Sequence, residues 1–140
     1  ALALDKGRSK ALFESAGIVT PSSGRIQPGE AAEMDEAGLR EWLRRRELEA
    51  PAVVKPTDGG SSQGVTIRES FDGILASVRE IGDEASEATS AGVLVEEYVD
   101  GPEYTVGLFD GECLGSLEVI PGEDFYDYHA KYESDETQYE

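Results

Sequence analysis

The segment Ala52-Val53-Val54-Lys55-Pro56-Thr57-Asp58-Gly59-Gly60-Ser61-Ser62-Gln63-Gly64-Val65-Thr66-Ile67 is where the reading of this chain begins. Ala52 to Lys55 has the character of a short buried strand, ended by Pro56, and Val65 to Ile67 resumes a strand. Between them runs a loop of glycine and serine. Glycines let a backbone bend so that successive N–H groups face an anion. Lys55 leads into the loop and supplies a point charge for the same anion. No Gly-Lys-Ser/Thr follows, and the next element is a strand rather than a helix, so this is not a Walker P-loop. Taken alone, a surface hairpin accounts for the loop equally well.

Upstream, Asp5 is placed to cap a helix from Lys6 to about Ala16, with Leu12 and Phe13 on its apolar side and Gly17 as its stop. Ser22 to Ile26 is a candidate strand and Pro28-Gly29 a turn. Asp35 to Glu47 carries helical spacing, with Leu39, Trp42, Leu43 and Arg46 on one face. Downstream, Ser70 caps a helix through Phe71, Ile74, Leu75, Val78 and Ile81. Gly82 to Gly92 is small and polar and reads as a loop. Val93 to Glu97 is a strand. Glu103 to Phe109 and Glu112 to Ile120 form two strands joined at Asp110-Gly111, a hairpin signal. The class is α+β, with a hairpin-rich first lobe and a second sheet beginning near residue 95.

Composition narrows the function. Thirty acidic residues against 12 basic ones give a formal charge of -18. Nucleic acids and anionic membranes are held by Lys and Arg, so neither is an expected partner. Scarce lysine among scattered acids is what adaptation to high salt produces, since salt screens self-repulsion. A single cysteine, Cys113, and a single histidine, His129, make neither a disulfide framework nor a Cys/His zinc site, and no metal ligand is expected within these residues. A reducing cytoplasm is the expected compartment.

Only Lys6, Lys10, Lys55 and Lys131 remain as lysines, and their retention suggests tasks that arginine or an acid does not perform. In Glu96-Glu97-Tyr98-Val99, a strand-end carboxylate has the chemistry to accept from an exocyclic amine, beside backbone suited to a heterocycle edge. Glu103 is placed to accept from a ribose hydroxyl. Phe125 to Tyr132 is too polar for a core strand and too aromatic for an idle loop; a lid closing over a ligand fits both traits.

Taken in order, Asp5-Lys6, Lys10, Gly17-Ile18, Thr20-Pro21, Val54-Lys55-Pro56, Gly60-Ser61-Ser62-Gln63-Gly64, Val95-Glu96-Glu97-Tyr98, Gly101-Pro102-Glu103-Tyr104-Thr105-Val106 and Phe125-Tyr126-Asp127-Tyr128-His129-Ala130-Lys131-Tyr132 closely resemble the D-alanine–D-alanine ligases of the ATP-grasp superfamily. The resemblance implies an ATP-grasp fold: a small central α/β lobe, then the first strands and lid loop of a C-terminal lobe. Residues 1–20 would be a leading helix and linker, 21–95 the central subdomain with its phosphate loop, and 96–140 the opening of the C-terminal subdomain.

For the site, the resemblance implies that Lys6 and Lys55 bind ATP phosphates under the mobile loop Gly60, Ser61, Ser62 and Gly64. Glu96 would face the adenine amine, with Glu97, Tyr98 and Val99 along the base and Glu103 on the ribose. Phe125 would lie over the nucleotide and Lys131 would reach the phosphates. Ser61 and Tyr132 would bond near the D-alanine. The implied reaction joins two D-alanines through an acyl phosphate with ATP and Mg2+, for peptidoglycan precursors. The metal ligands are expected beyond residue 140, the 140 residues alone are expected to be inactive, and the full-length enzyme is expected to be a homodimer. A ligase with another acceptor, and a nucleotide-binding fragment without activity, are the other two readings.

Overall fold

A computed structural model describes residues 5–88, 92–120 and 138–139. The chain divides into two compact units: residues up to Gly60 with Gly64–Val99, and Ser61–Gln63 with the residues from Asp100 on.

The first unit opens with α1 (Lys6–Ser15), where the Asp5 carboxylate accepts from the Arg8 N–H at 2.9 Å, and Gly17 leaves the helix at φ 71°. Its apolar side is not a core side. Leu12 and Phe13 are about half exposed, and the buried residue of the helix is Lys10. Strand β1 (Ser23–Ile26) is followed by α2 (Pro28–Ala32), where a turn was expected. Proline at the first helical position loses no hydrogen bond, so Pro28 starts a helix there as readily as a turn. In α3 (Glu36–Arg44), Asp35 caps the Gly38 N–H at 2.7 Å, and Leu39, Trp42 and Leu43 are buried as the spacing predicts. Arg46 stays exposed and stacks on the Trp42 ring at 4.0 Å.

Strands β2 (Ala52–Pro56) and β3 (Thr66–Arg68) flank the glycine loop, and α4 (Phe71–Ala88) follows with Ser70 accepting from the Gly73 N–H. The helix runs through most of the stretch expected to be loop from Gly82. Glu, Ala and Ser are compatible with a helix, and Gly82 is there for contact: a Cβ on it would stand 2.6 Å from the Ala32 backbone nitrogen. Strand β4 (Val93–Glu97) closes the unit.

These strands form one antiparallel sheet in the order β1-β4-β2-β3. The last strand made is therefore internal, and only β2–β3 is a sequential pair, which corrects the expectation of a hairpin-rich lobe. Glu96 pairs with Ser23 and Val53, so it belongs to the first sheet. The unit boundary falls after Val99, whereas the sequence division fell after residue 95. Alternation along the strands sorts the side chains. Ile26, Ala52, Val54, Val93 and Val95 join Leu39, Trp42, Ile74 and Val78 of the helices in one core. Lys55, Leu94 and Glu96 turn to the opposite face.

In the second unit, β5 (Glu103–Phe109) and β6 (Glu112–Ile120) pair antiparallel as the expected hairpin, and β7 (Gln138–Tyr139) adds to β6. Asp110 and Gly111 sit at φ 47° and 81°, the paired positive values of a tight hairpin turn. The second sheet therefore begins at Glu103, not near residue 95. A register shift between Gly107 and Leu108 marks a bulge.

Candidate functional site

The open face of the first sheet and α1 enclose a cleft of about 420 Å³, lined by Lys6, Lys10, Phe13, Lys55, Leu94 and Glu96 among others. Three of the four lysines of the chain meet there. Strand alternation puts Lys55 and Glu96 on this face because Val54 and Val95 occupy the core face.

Glu96 is the centre of the charge arrangement. It is 8% exposed. Its Oε1 accepts from Lys55 Nζ, and its Oε2 pairs with Lys10 Nζ at 3.1 Å. Both lysine side chains are largely buried too, so water screens these pairs weakly. Breaking such a pair by removing one partner leaves an uncompensated buried charge, which is costly.

Lys6 works at the start of the glycine loop. Its Nζ donates to the carbonyls of Pro56 at 3.0 Å, Asp58 at 2.8 Å and Gly59 at 3.2 Å, and its backbone N–H donates to Thr57 at 2.7 Å. Burial pushes the Lys6 ammonium below the usual lysine range, and the charge of Lys55 adds to the effect; Asp58, Glu96 and Asp5 oppose it. Thr57 fixes the loop from below: it is buried, its N–H donates to Gly92, and its Oγ1 accepts from the Gly92 N–H. Beyond this anchor Gly59 and Gly64 take positive φ, as do Ser61 at 55° and Ser62 at 57°, a region non-glycine residues seldom enter. Nothing stands within 4 Å of a Cβ built on Gly60.

The structure thus brings Lys6, Lys55 and Glu96 together and adds Lys10, which retention in a lysine-poor chain and a place in the family series had marked without giving it a role. Glu97 is not with them. It lies on the other face of β4 and accepts from the Ser22 N–H at 3.3 Å. Tyr98 follows half-buried and Val99 exposed. Ser61, Ser62 and Glu103 belong to the second unit. Phe125, Lys131 and Tyr132 lie outside the described residues. Among the described residues, no group of three or more His, Cys, Asp or Glu is placed to hold a metal ion, and no helix is long and apolar enough to cross a membrane.

An antiparallel sheet with helices over its core face and lysines on its other face is the ATP-grasp architecture, and solved structures similar to this chain include ATP-grasp ligases. Residues 12–140 match the family described as D-ala D-ala ligase C-terminus, and the chain belongs to it. The D-alanine–D-alanine ligase of Glaesserella parasuis is 40% identical over 139 residues, which are 99% of this chain and 42% of that protein. The chain therefore spans about two fifths of the length of the curated relatives it matches. The D-alanine–D-alanine ligase of Bacillus anthracis superposes over 99% of this chain and 41% of its own, with a TM-score of 0.71 and 31% identity. Its structure complexed with ATP gives 0.66 and 28% over 99% and 40% of the two chains. The D-Ala:D-Ser ligase of Enterococcus faecalis gives 0.65 and 30% over 99% and 38%.

Proposed function

We propose that this chain is the nucleotide-binding part of an ATP-dependent ligase that joins two D-alanines for peptidoglycan precursors. The observation that carries the reading is the convergence of Lys6 and Lys55 on one cleft, with Lys6 bonded to the Asp58 and Gly59 carbonyls at the start of the glycine loop. In such a reaction ATP phosphorylates the carboxylate of the first D-alanine, releasing ADP, and the amine of the second attacks the acyl phosphate, releasing phosphate. The chemistry asks for positioning and charge neutralisation more than for a protein nucleophile. Lys55 supplies positive charge to the phosphates, Lys6 adds its charge from the start of the loop whose carbonyls it holds, Gly60, Ser61, Ser62 and Gly64 cover the phosphates, and Glu96 meets the adenine amine. Tyr98 and Val99 follow the base, and Glu103 the ribose. Lys131 reaches the phosphates and Phe125 the nucleotide, with Ser61 and Tyr132 bonded near the D-alanine. The family resemblance supports this second group.

Bound Mg2+ would neutralise phosphate charge. Among the described residues no group of three or more His, Cys, Asp or Glu is placed to hold it, the family resemblance puts its ligands beyond residue 140, and no step here runs through it. The same reading makes the intact enzyme a cytoplasmic homodimer, and expects these 140 residues alone to make no dipeptide. Intact protein supplied with ATP, Mg2+ and D-alanine should release ADP and phosphate together with D-alanyl-D-alanine, resolved by chromatography. ATP turnover that does not depend on D-alanine would refute the reading. Similarity to the D-Ala:D-Ser ligase of Enterococcus faecalis favours a second acceptor as the alternative, and D-serine offered in competition with D-alanine separates the two.

A further inference from the structure

Lys10 is buried, and the nucleotide chemistry proposed above leaves it without a task. An ammonium has three N–H groups to give. Those of Lys10 meet Thr20 Oγ1 at 2.7 Å, the Pro21 carbonyl at 2.8 Å and Glu96 Oε2 at 3.1 Å, so no donor is left for a ligand. Among the described residues its charged partner is Glu96, and the other oxygen of Glu96 holds Lys55.

This arrangement has a consequence for Lys55. To serve an anionic ligand, Lys55 must leave Glu96. If it were the sole partner of that carboxylate, its departure would strand a buried negative charge, and the ligand would have to overcome that penalty. Lys10 removes the problem, because Glu96 stays paired when Lys55 goes. The anchors on Thr20 and Pro21 keep Lys10 from following. They tie it to the extended segment after α1, while Lys55 rides on β2, so the two cations are held by different parts of the chain.

We infer that Lys10 is a positioning residue that holds Glu96 paired and in place so that Lys55 is released to an anionic ligand. The inference rests on the nucleotide reading of the cleft. It predicts a dependence that simple scaffolding does not: Lys10 matters only while Glu96 is charged. In the intact protein, ATP affinity is measured by calorimetry for Lys10→Met and Lys10→Arg, each with native Glu96 and with Glu96→Gln. With native Glu96, Lys10→Met should weaken ATP binding roughly tenfold, the scale of one charge-assisted contact, and Lys10→Arg should stay near wild type. With Glu96→Gln, Lys10→Met should change affinity by less than about twofold. Equal losses in both backgrounds, or no loss with native Glu96, overturn the inference. If Lys10→Met does not fold with native Glu96, the comparison within the Glu96→Gln background decides alone: a roughly tenfold gap overturns the inference and equality supports it. Wild-type protein that binds no ATP overturns the nucleotide reading and this inference with it. Wild-type binding that is indifferent to Lys10 overturns only the inference.

Discussion

At the scale of single residues, charge placement yields two predictions. Lys55→Ala in the intact protein should weaken ATP binding by about 1.5–3 kcal/mol, the worth of one charge-assisted contact, whereas exposed Arg8→Ala should leave it unchanged. Equal affinities of the two variants in a binding titration would remove the phosphates from this cleft. Arg68 is a poor control, because its Nε donates to the buried Ser77 hydroxyl at 2.7 Å. The second prediction concerns Glu41, held down to about 2 by hydrogen bonds from Arg44 and then Arg45. A carboxyl lowered in the folded state stabilises fully above its ordinary value of 4.5 and loses that contribution as the pH falls through about 2. The group is solvent-exposed, so the effect on stability is small and the site itself is the thing to measure. An NMR titration should find its midpoint near 2, moving up toward 4.5 when Arg44 and Arg45 become alanine. Lys6, Lys55 and Glu96 could be singled out from the sequence as candidates because chemistry restricts their type, and the structure brings them together. That Glu97 turns away was legible too, in principle, from strand alternation once β4 had been placed. The bond of Lys10 to Glu96 was not: it joins residues far apart in sequence, and no local pattern encodes it.

At the scale of elements, α2 and α4 meet through a glycine. Gly82→Ala should gain up to about 1 kcal/mol of helix propensity, yet the added methyl meets the Ala32 nitrogen at 2.6 Å and the Ala31 Cβ at 2.8 Å. Overpacking costs typically 1–3 kcal/mol, so the net change should be destabilising by up to about 2 kcal/mol in urea unfolding. Gly29→Ala has open space around it and should be neutral or slightly stabilising. A stabilised Gly82→Ala would mean that the two helices do not approach this closely. Element types were well encoded locally: α1 by its Asp5 cap and Gly17 stop, α3 by its period, and β2 and β4 by short apolar runs. The Asp110-Gly111 hairpin was encoded in two residues. What sequence misreads here is glycine and proline used for packing and helix initiation. Gly82 and Pro28 carry the same letters a turn would, and only their neighbours in space tell the uses apart.

At the scale of the whole molecule, -18 on 140 residues sets a self-repulsion that salt relieves. The melting temperature should rise between low and molar potassium chloride, by roughly 2–8 °C for each kcal/mol relieved. A midpoint that is flat or falling would withdraw the reading of adaptation to salt. The strand order was beyond the reach of sequence, since pairing partners are chosen by long-range burial and not by local propensity. That order also bears on how the chain is made. Synthesis proceeds from the N-terminus, and β1 finds its partner only when residues 93–96 exist, some seventy residues later. Until then β1 has no neighbour in the sheet, and β2 and β3 have only each other. A nascent chain stalled just short of Val93 should therefore remain open to protease, and one carried past Glu97 and clear of the ribosome should gain protection in a single step.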